Sequence, residues 1–139
     1  MSTPPFSDAD FGRYIQHFGV PKMQNVTLYP DVSNPDVPRN EIEVFNFIDL
    51  DGQELIFTSN GFTFPGRGYI PYKEIIIATW PSGMRLKPNY REYIEIRFRD
   101  RPPITFHAGP QTAVSLGLLI GGIGSIRKRE AKNSPGVNS

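Results

Sequence analysis

His17 and His107 are the side chains best suited to move a proton or hold a metal near neutral pH. They stand ninety positions apart, and no cluster of His, Asp and Glu in this 139-residue chain has ligand spacing. His107 alternates outward from Phe106 on a strand pattern, which predicts a surface histidine. His17 falls in a last helical turn, where the helix dipole favours its charged form. Carboxylate pairs such as Asp49 and Asp51 sit at a turn signal, where aspartate is wanted for turn geometry. No Gly-x-Ser-x-Gly elbow, phosphate loop or His-Glu-x-x-His occurs. The Gly121–Gly124 stretch lacks the third glycine of a dinucleotide fingerprint and the chain needed for a βαβ unit. With no cysteine, disulfides, thiol catalysis and thiolate metal sites are excluded. The expectation is a protein that is not an enzyme, with no cofactor and no metal.

What remains is chemistry of contact. Arg91, Arg97, Arg99 and Arg101 form one basic group, interleaved with Glu92, Glu95 and Asp100; Arg127, Lys128 and Arg129 form another. The first reads as the wet face of a strand, the second as a helix end whose dipole favours cations. A net charge of +1 gives no footprint for nucleic acid or an anionic membrane. Trp80, at a strand end before Pro81, is either a core plug or an exposed anchor, and tryptophan is enriched in binding hot spots. Ala113, Gly117, Gly121 and Ser125 make a stripe of small residues that lets two backbones approach closely. Trp80, Gly117, Gly121, Arg97 and Arg99 are therefore the candidate partner-binding residues.

Two helices and a run of strands must position these groups. Ser7 is a good N-cap, Asp8 and Asp10 suit a first turn, and Phe6 can staple onto Phe11. Phe11, Tyr14, Ile15 and Phe18 recur on one face, with Gly19 placed for a left-handed cap before Pro21. This predicts a helix over 8–18, docked on the chain's own sheet or in a partner's groove. A strand over 23–29 and a proline-rich loop over 30–40 follow. Strands are then expected at 41–50, 53–58, 61–64, 69–71, 73–80, 84–87, 90–99 and 104–108. Asp51-Gly52 and Asn60-Gly61 are expected to form two-residue hairpin turns with positive φ. The run Ile75 to Ile77 fits a strand buried on both faces better than an edge. The last helix, 110–129, opens on Pro110 and either packs its glycines closely or breaks near Gly121-Gly122. Its apolar run, 113–126, falls short of the roughly 20 residues that span a bilayer. Residues 1–10 lack the regions of a secretory signal, which leaves the cytoplasm as the expected compartment.

The span from Gln53 to about Lys128 resembles the pleckstrin-homology superfamily, closest to its GRAM-type and bacterial members. The residues that carry the likeness are Glu54 to Phe62, Ile70-Pro71 through Ile75, Tyr93 to Arg99, Ile104 to Phe106 and the terminal helix. The resemblance implies a mainly β, α+β fold: a seven-stranded antiparallel bent barrel capped by the C-terminal helix. Residues 41–129 would be that barrel, 1–40 an N-terminal extension bearing the amphipathic helix, and 130–139 a tail. It also implies a non-catalytic binding module. Relatives that hold inositol lipids do so with cations on the loop joining the first two strands, whereas Asp49 to Gly52 is acidic and opposes phosphate. A protein partner is expected first, with a homo-oligomer through the last helix as one form of it. The alternatives are a lipid or small-molecule ligand, held in the barrel or against the apolar helix, and a toxin-neutralising immunity protein.

Overall fold

The computed structural model describes residues 6–30, 34–79 and 92–133. Helix α1 spans Asp8–His17, and Ser7 and Asp10 close a reciprocal capping box at its start. At its other end Gly19 adopts φ +72°, which stops the helix ahead of a short 3₁₀ turn, Val20–Lys22. Phe11 and Ile15 are buried, and the Phe11 ring stacks over Phe45 at 6.5 Å and tilts onto Tyr72 at 6.2 Å. The amphipathic face is thus satisfied within the chain. Phe6 sets its ring edge-on to Tyr14 at 5.7 Å, so its aromatic contact falls on Tyr14 where a staple onto Phe11 is expected.

Among the described residues eight strands follow: β1 Val26–Leu28, β2 Phe45–Ile48, β3 Glu54–Phe57, β4 Gly61–Phe64, β5 Gly68–Pro71, β6 Ile75–Thr79, β7 Glu92–Phe98 and β8 Ile104–Ala108. They form two antiparallel meanders, a five-stranded sheet in the order β1 to β5 and a three-stranded sheet β6-β7-β8. The architecture is α+β, but the described strands do not pair into the closed seven-stranded barrel. The strand expected over 41–50 is shorter, Phe45–Ile48, with Val44 N–H already donating to Phe57 O at 2.9 Å; ahead of it the Glu41 and Glu43 carboxylates hold neighbouring loops. The strand expected at 84–87 lies outside the described residues.

The two hairpin turns differ from expectation in different ways. Asp49 to Gln53 closes through Asp49 N–H to Gln53 O at 2.9 Å, and Gly52 takes φ +83°. That is a three-residue loop with a left-handed glycine, the longer relative of the two-residue turn. In the turn 58–61 neither Asn60 nor Gly61 has positive φ. Gly61 is needed for space instead: a Cβ there would lie 2.6 Å from both Ile70 O and the Tyr69 ring.

Helix α2, Pro110–Asn133, runs unbroken through its glycines and outlasts the expected end by four residues. Leu116, Leu119, Ile120 and Ile123 bury its apolar face in a core shared with Phe57, Phe62, Tyr72, Ile94, Ile96 and Phe106. Both sheets and both helices contribute to that one core. A backbone bond, Leu50 N–H to His107 O at 3.0 Å, stitches the β2 end to β8 across the two sheets. No helix among the described residues is long and apolar enough to cross a membrane.

Candidate functional site

Strand β6 is an edge of its sheet, paired with β7 alone among the described strands. The register slips between Ile75 and Ile77, so one extra residue bulges out of the ladder. Past the bulge the side chains change faces: Ile75 and Ala78 are buried while Ile76 and Ile77 are 56 % and 48 % exposed. The apolar run is therefore not buried on both faces, as periodicity alone suggests. Across the ladder Ile77 faces Arg97, whose guanidinium pairs with Glu95 at 2.8 Å; this bond to a carboxylate raises the Arg97 pKa further. Tyr93, also exposed, extends the same outer face.

Beside the start of β6, where Glu74 leads into Ile75, lies a depression of about 650 Å³ lined by Lys73, Glu74, Arg99, Asp100, Lys128 and Arg129, with Ser125, Ala131 and Lys132. The two basic groups that are distant in sequence meet here. Arg99 reaches it from the β7–β8 turn, Lys73 from the 3₁₀ turn Tyr72–Glu74, and the others from the end of α2. Glu74 is held by Arg101, whose Nε and Nη2 donate to its Oε1 at 3.0 and 2.7 Å. Lys128 Nζ reaches the Ile76 carbonyl at 3.4 Å, a long, weak bond to the bulged residue of the edge strand.

Of the other sequence candidates, Trp80 lies outside the described residues, as does Arg91. Gly117 is buried and Gly121 half-buried. A Cβ on Gly121 would meet only Ala78 Cβ, at 4.0 Å, so the stripe turns toward β6 without close packing at that position. The tight approach is one residue later: a Cβ on Gly122 would lie 1.8 Å from the Tyr14 hydroxyl.

The structure also assembles what sequence spacing keeps apart. Asp49, Asp51 and His107 bring one potential ligand atom each within 4.8 Å of one another. The donor pattern explains the grouping as a corner clip. Asp49 Oδ1 accepts from the Asp51 and Gln53 N–H groups at 2.9 and 2.8 Å, and Oδ2 from Gln53 Nε2 and His107 N–H at 3.0 and 3.1 Å. A cation would have to displace these donors. His107 Nδ1 then lies 2.8 Å from Asp51 Oδ2, tying the side chains as well.

A second polar cluster surrounds the Thr58–Asn60 turn. Glu41 Oε1 accepts from Thr58 Oγ1 at 2.8 Å and from the Tyr69 hydroxyl at 3.0 Å, and Asn60 Nδ2 donates to Glu41 Oε2 at 2.9 Å. The buried Tyr72 hydroxyl donates to Thr58 O at 2.7 Å. Burial pushes both phenols above the ordinary tyrosine value. Arg127 donates twice to Ser59 O, at 3.0 and 2.7 Å, and once to Phe6 O at 2.9 Å; it also pairs with Glu130 and lies over the Phe6 ring. Glu130 in turn accepts the Phe6 N–H, and Ser59 Oγ donates to Asp8. Thr58 is wholly buried, so this network reads as a structural joint among α1, α2 and the β3–β4 turn and not as a reactive hydroxyl.

No protein-family model matches the chain, and no curated protein or solved structure matches it.

Proposed function

We propose that this chain is a non-catalytic binding module of the pleckstrin-homology type whose ligand is another protein, docked along the edge of β6 that no described strand covers. Support for the type comes from element order. Leaving β1 aside, a four-stranded meander, a three-stranded meander and a C-terminal helix follow one another. The observation that carries the docking site is the exposed pair Ile76 and Ile77 on a bulged edge strand beside α2. Exposed edges invite strand addition, and proteins commonly blunt them with charge or proline. Here two large apolar side chains flank the edge, and the charge that reaches it, Lys128, makes only a long bond to the Ile76 carbonyl.

A ligand inside the fold is less well supported, because Phe45, Phe57, Phe62, Tyr72 and Phe106 fill the interior. An inositol lipid at the Asp49–Gly52 loop meets two carboxylates, and Asp49 already ties that loop to β8. Affinity capture from the native host, with wild type and an Ile76→Asp/Ile77→Asp variant as baits, tests the reading. Proteins retained by wild type and lost by the variant are expected. Recovery of a co-purifying lipid with no protein would overturn it.

A further inference from the structure

We propose that the basic depression beside β6 receives an acidic, partly apolar segment of the partner protein. Its carboxylates would meet Lys73, Arg99 and Lys128 while its apolar side chains cover Ile76 and Ile77. This rests on the β6-edge reading above and adds the chemistry of the occupant.

The depression carries five cations against two carboxylates, on a chain whose net charge is only +1. One of those carboxylates, Glu74, is already engaged by Arg101. A helix C-terminus attracts cations to its own carbonyls, which accounts for Lys128, Arg129 and Lys132 without any ligand. It does not account for Lys73 and Arg99, which arrive from two other turns. The shape of the site selects among anions. A compact phosphate is best held by cations that converge on one point, whereas these reach the depression from three separate elements. Cations spread over about 650 Å³ suit a string of separated carboxylates.

Lys128 links the two halves of the site. Its ammonium sits on the carbonyl of Ile76, the residue that the bulge leaves without a partner in the β6–β7 register. Lysine at a strand edge deters unwanted pairing. A carboxylate arriving in the depression draws Lys128 away through a stronger, charge-assisted bond, and the freed carbonyl can then accept an N–H from the incoming strand. Acidic partners would open the edge, and others would find it guarded.

Random peptide display against the purified full chain tests this. The expected result is enrichment of peptides with Asp or Glu beside apolar residues. Synthetic versions should bind wild type about tenfold more tightly than an Arg99→Glu/Lys128→Glu variant and weaken as salt rises. The charge-reversed variant should in turn select Lys-bearing peptides. Apolar peptides without acidic bias, lost with Ile77→Asp but indifferent to the charge reversal, would overturn the acidic occupant and leave the edge reading standing. Polyglutamate binding that ignores Ile77→Asp would overturn the edge reading. Failure to select any peptide, together with binding to phosphatidylserine vesicles, would replace both with a membrane surface.

Discussion

Arg127 does more for this fold than its sequence neighbourhood suggests. Its side chain is only 11 % exposed, and its guanidinium makes four hydrogen bonds, two to Ser59 O and one each to Phe6 O and Glu130. Truncation would leave two carbonyls and a carboxylate short of donors, at about 1–3 kcal/mol for each buried group left unpaired. Arg127→Ala should therefore lower stability by about 2–4 kcal/mol, read as a shifted urea midpoint at unchanged slope. Arg127→Lys should recover less than half, since a point charge replaces a planar fork. The phenols of Tyr72, wholly buried, and Tyr69, half-buried, give a pH signature. Their folded values lie above the ordinary 10.0, so their contribution to stability is complete below that pH and is lost as pH rises beyond it. Urea midpoints should hold to about pH 10 and then fall. In absorbance titrations Tyr69 and Tyr72, of six tyrosines, should ionise only as the fold opens. Tyr72→Phe should cost about 1–2 kcal/mol at neutral pH through the lost bond to Thr58 O, yet flatten the alkaline decline.

At the level of elements, neighbouring glycines of α2 should respond to substitution with opposite signs. Gly121→Ala finds open van der Waals space and should stabilise by roughly 0.5–1 kcal/mol through helix propensity. Gly122→Ala must push the Tyr14 ring aside and should destabilise by about 1–3 kcal/mol. Adding Tyr14→Phe should return part of that loss, and thermal melts of the singles and the double would measure the coupling. Helix α1 was legible almost to the residue, because cap, stripe and left-handed glycine are all local signals. The alternation of Ile94, Ile96 and Phe98 likewise placed β7 and its buried face. Gly61 was read as a turn residue because the ring that excludes a Cβ there belongs to Tyr69 in the next strand. The apolar run at Ile75 cannot reveal a bulge, since a one-residue slip moves side chains to the other face. The Asp49–His107 clip and the meeting of Arg99 with Lys128 depend on chain folding back over long separations, which spacing does not encode.

At the scale of the whole molecule, helix α1 and the 3₁₀ turn after it are part of the core that the sheets need. Phe11, Ile15 and Val20 are between 0 % and 2 % exposed, and their loss would uncover Phe45 and Tyr72. Each such side chain is worth about 2–5 kcal/mol, and the whole stability of a domain is about 5–15 kcal/mol. A fragment spanning residues 41–139 should show no cooperative thermal transition by near-ultraviolet circular dichroism, and a peptide covering residues 1–30 should restore one.

The Phe6–Glu130 and Phe6–Arg127 bonds place the two ends of the described fold side by side, and this bears on how the chain finds its shape. That closure joins positions 124 residues apart, the kind of distant pairing that slows folding. A circular permutant, with a short glycine-rich bridge across the present ends and new ends opened at the Gly66 turn, would make the closure local and sever the β4–β5 hairpin. Folding should then begin from the joined helices, with faster refolding in stopped-flow traces and an equilibrium midpoint lowered only by the cut hairpin. Unchanged refolding would mean that the helices dock after the rate-limiting step.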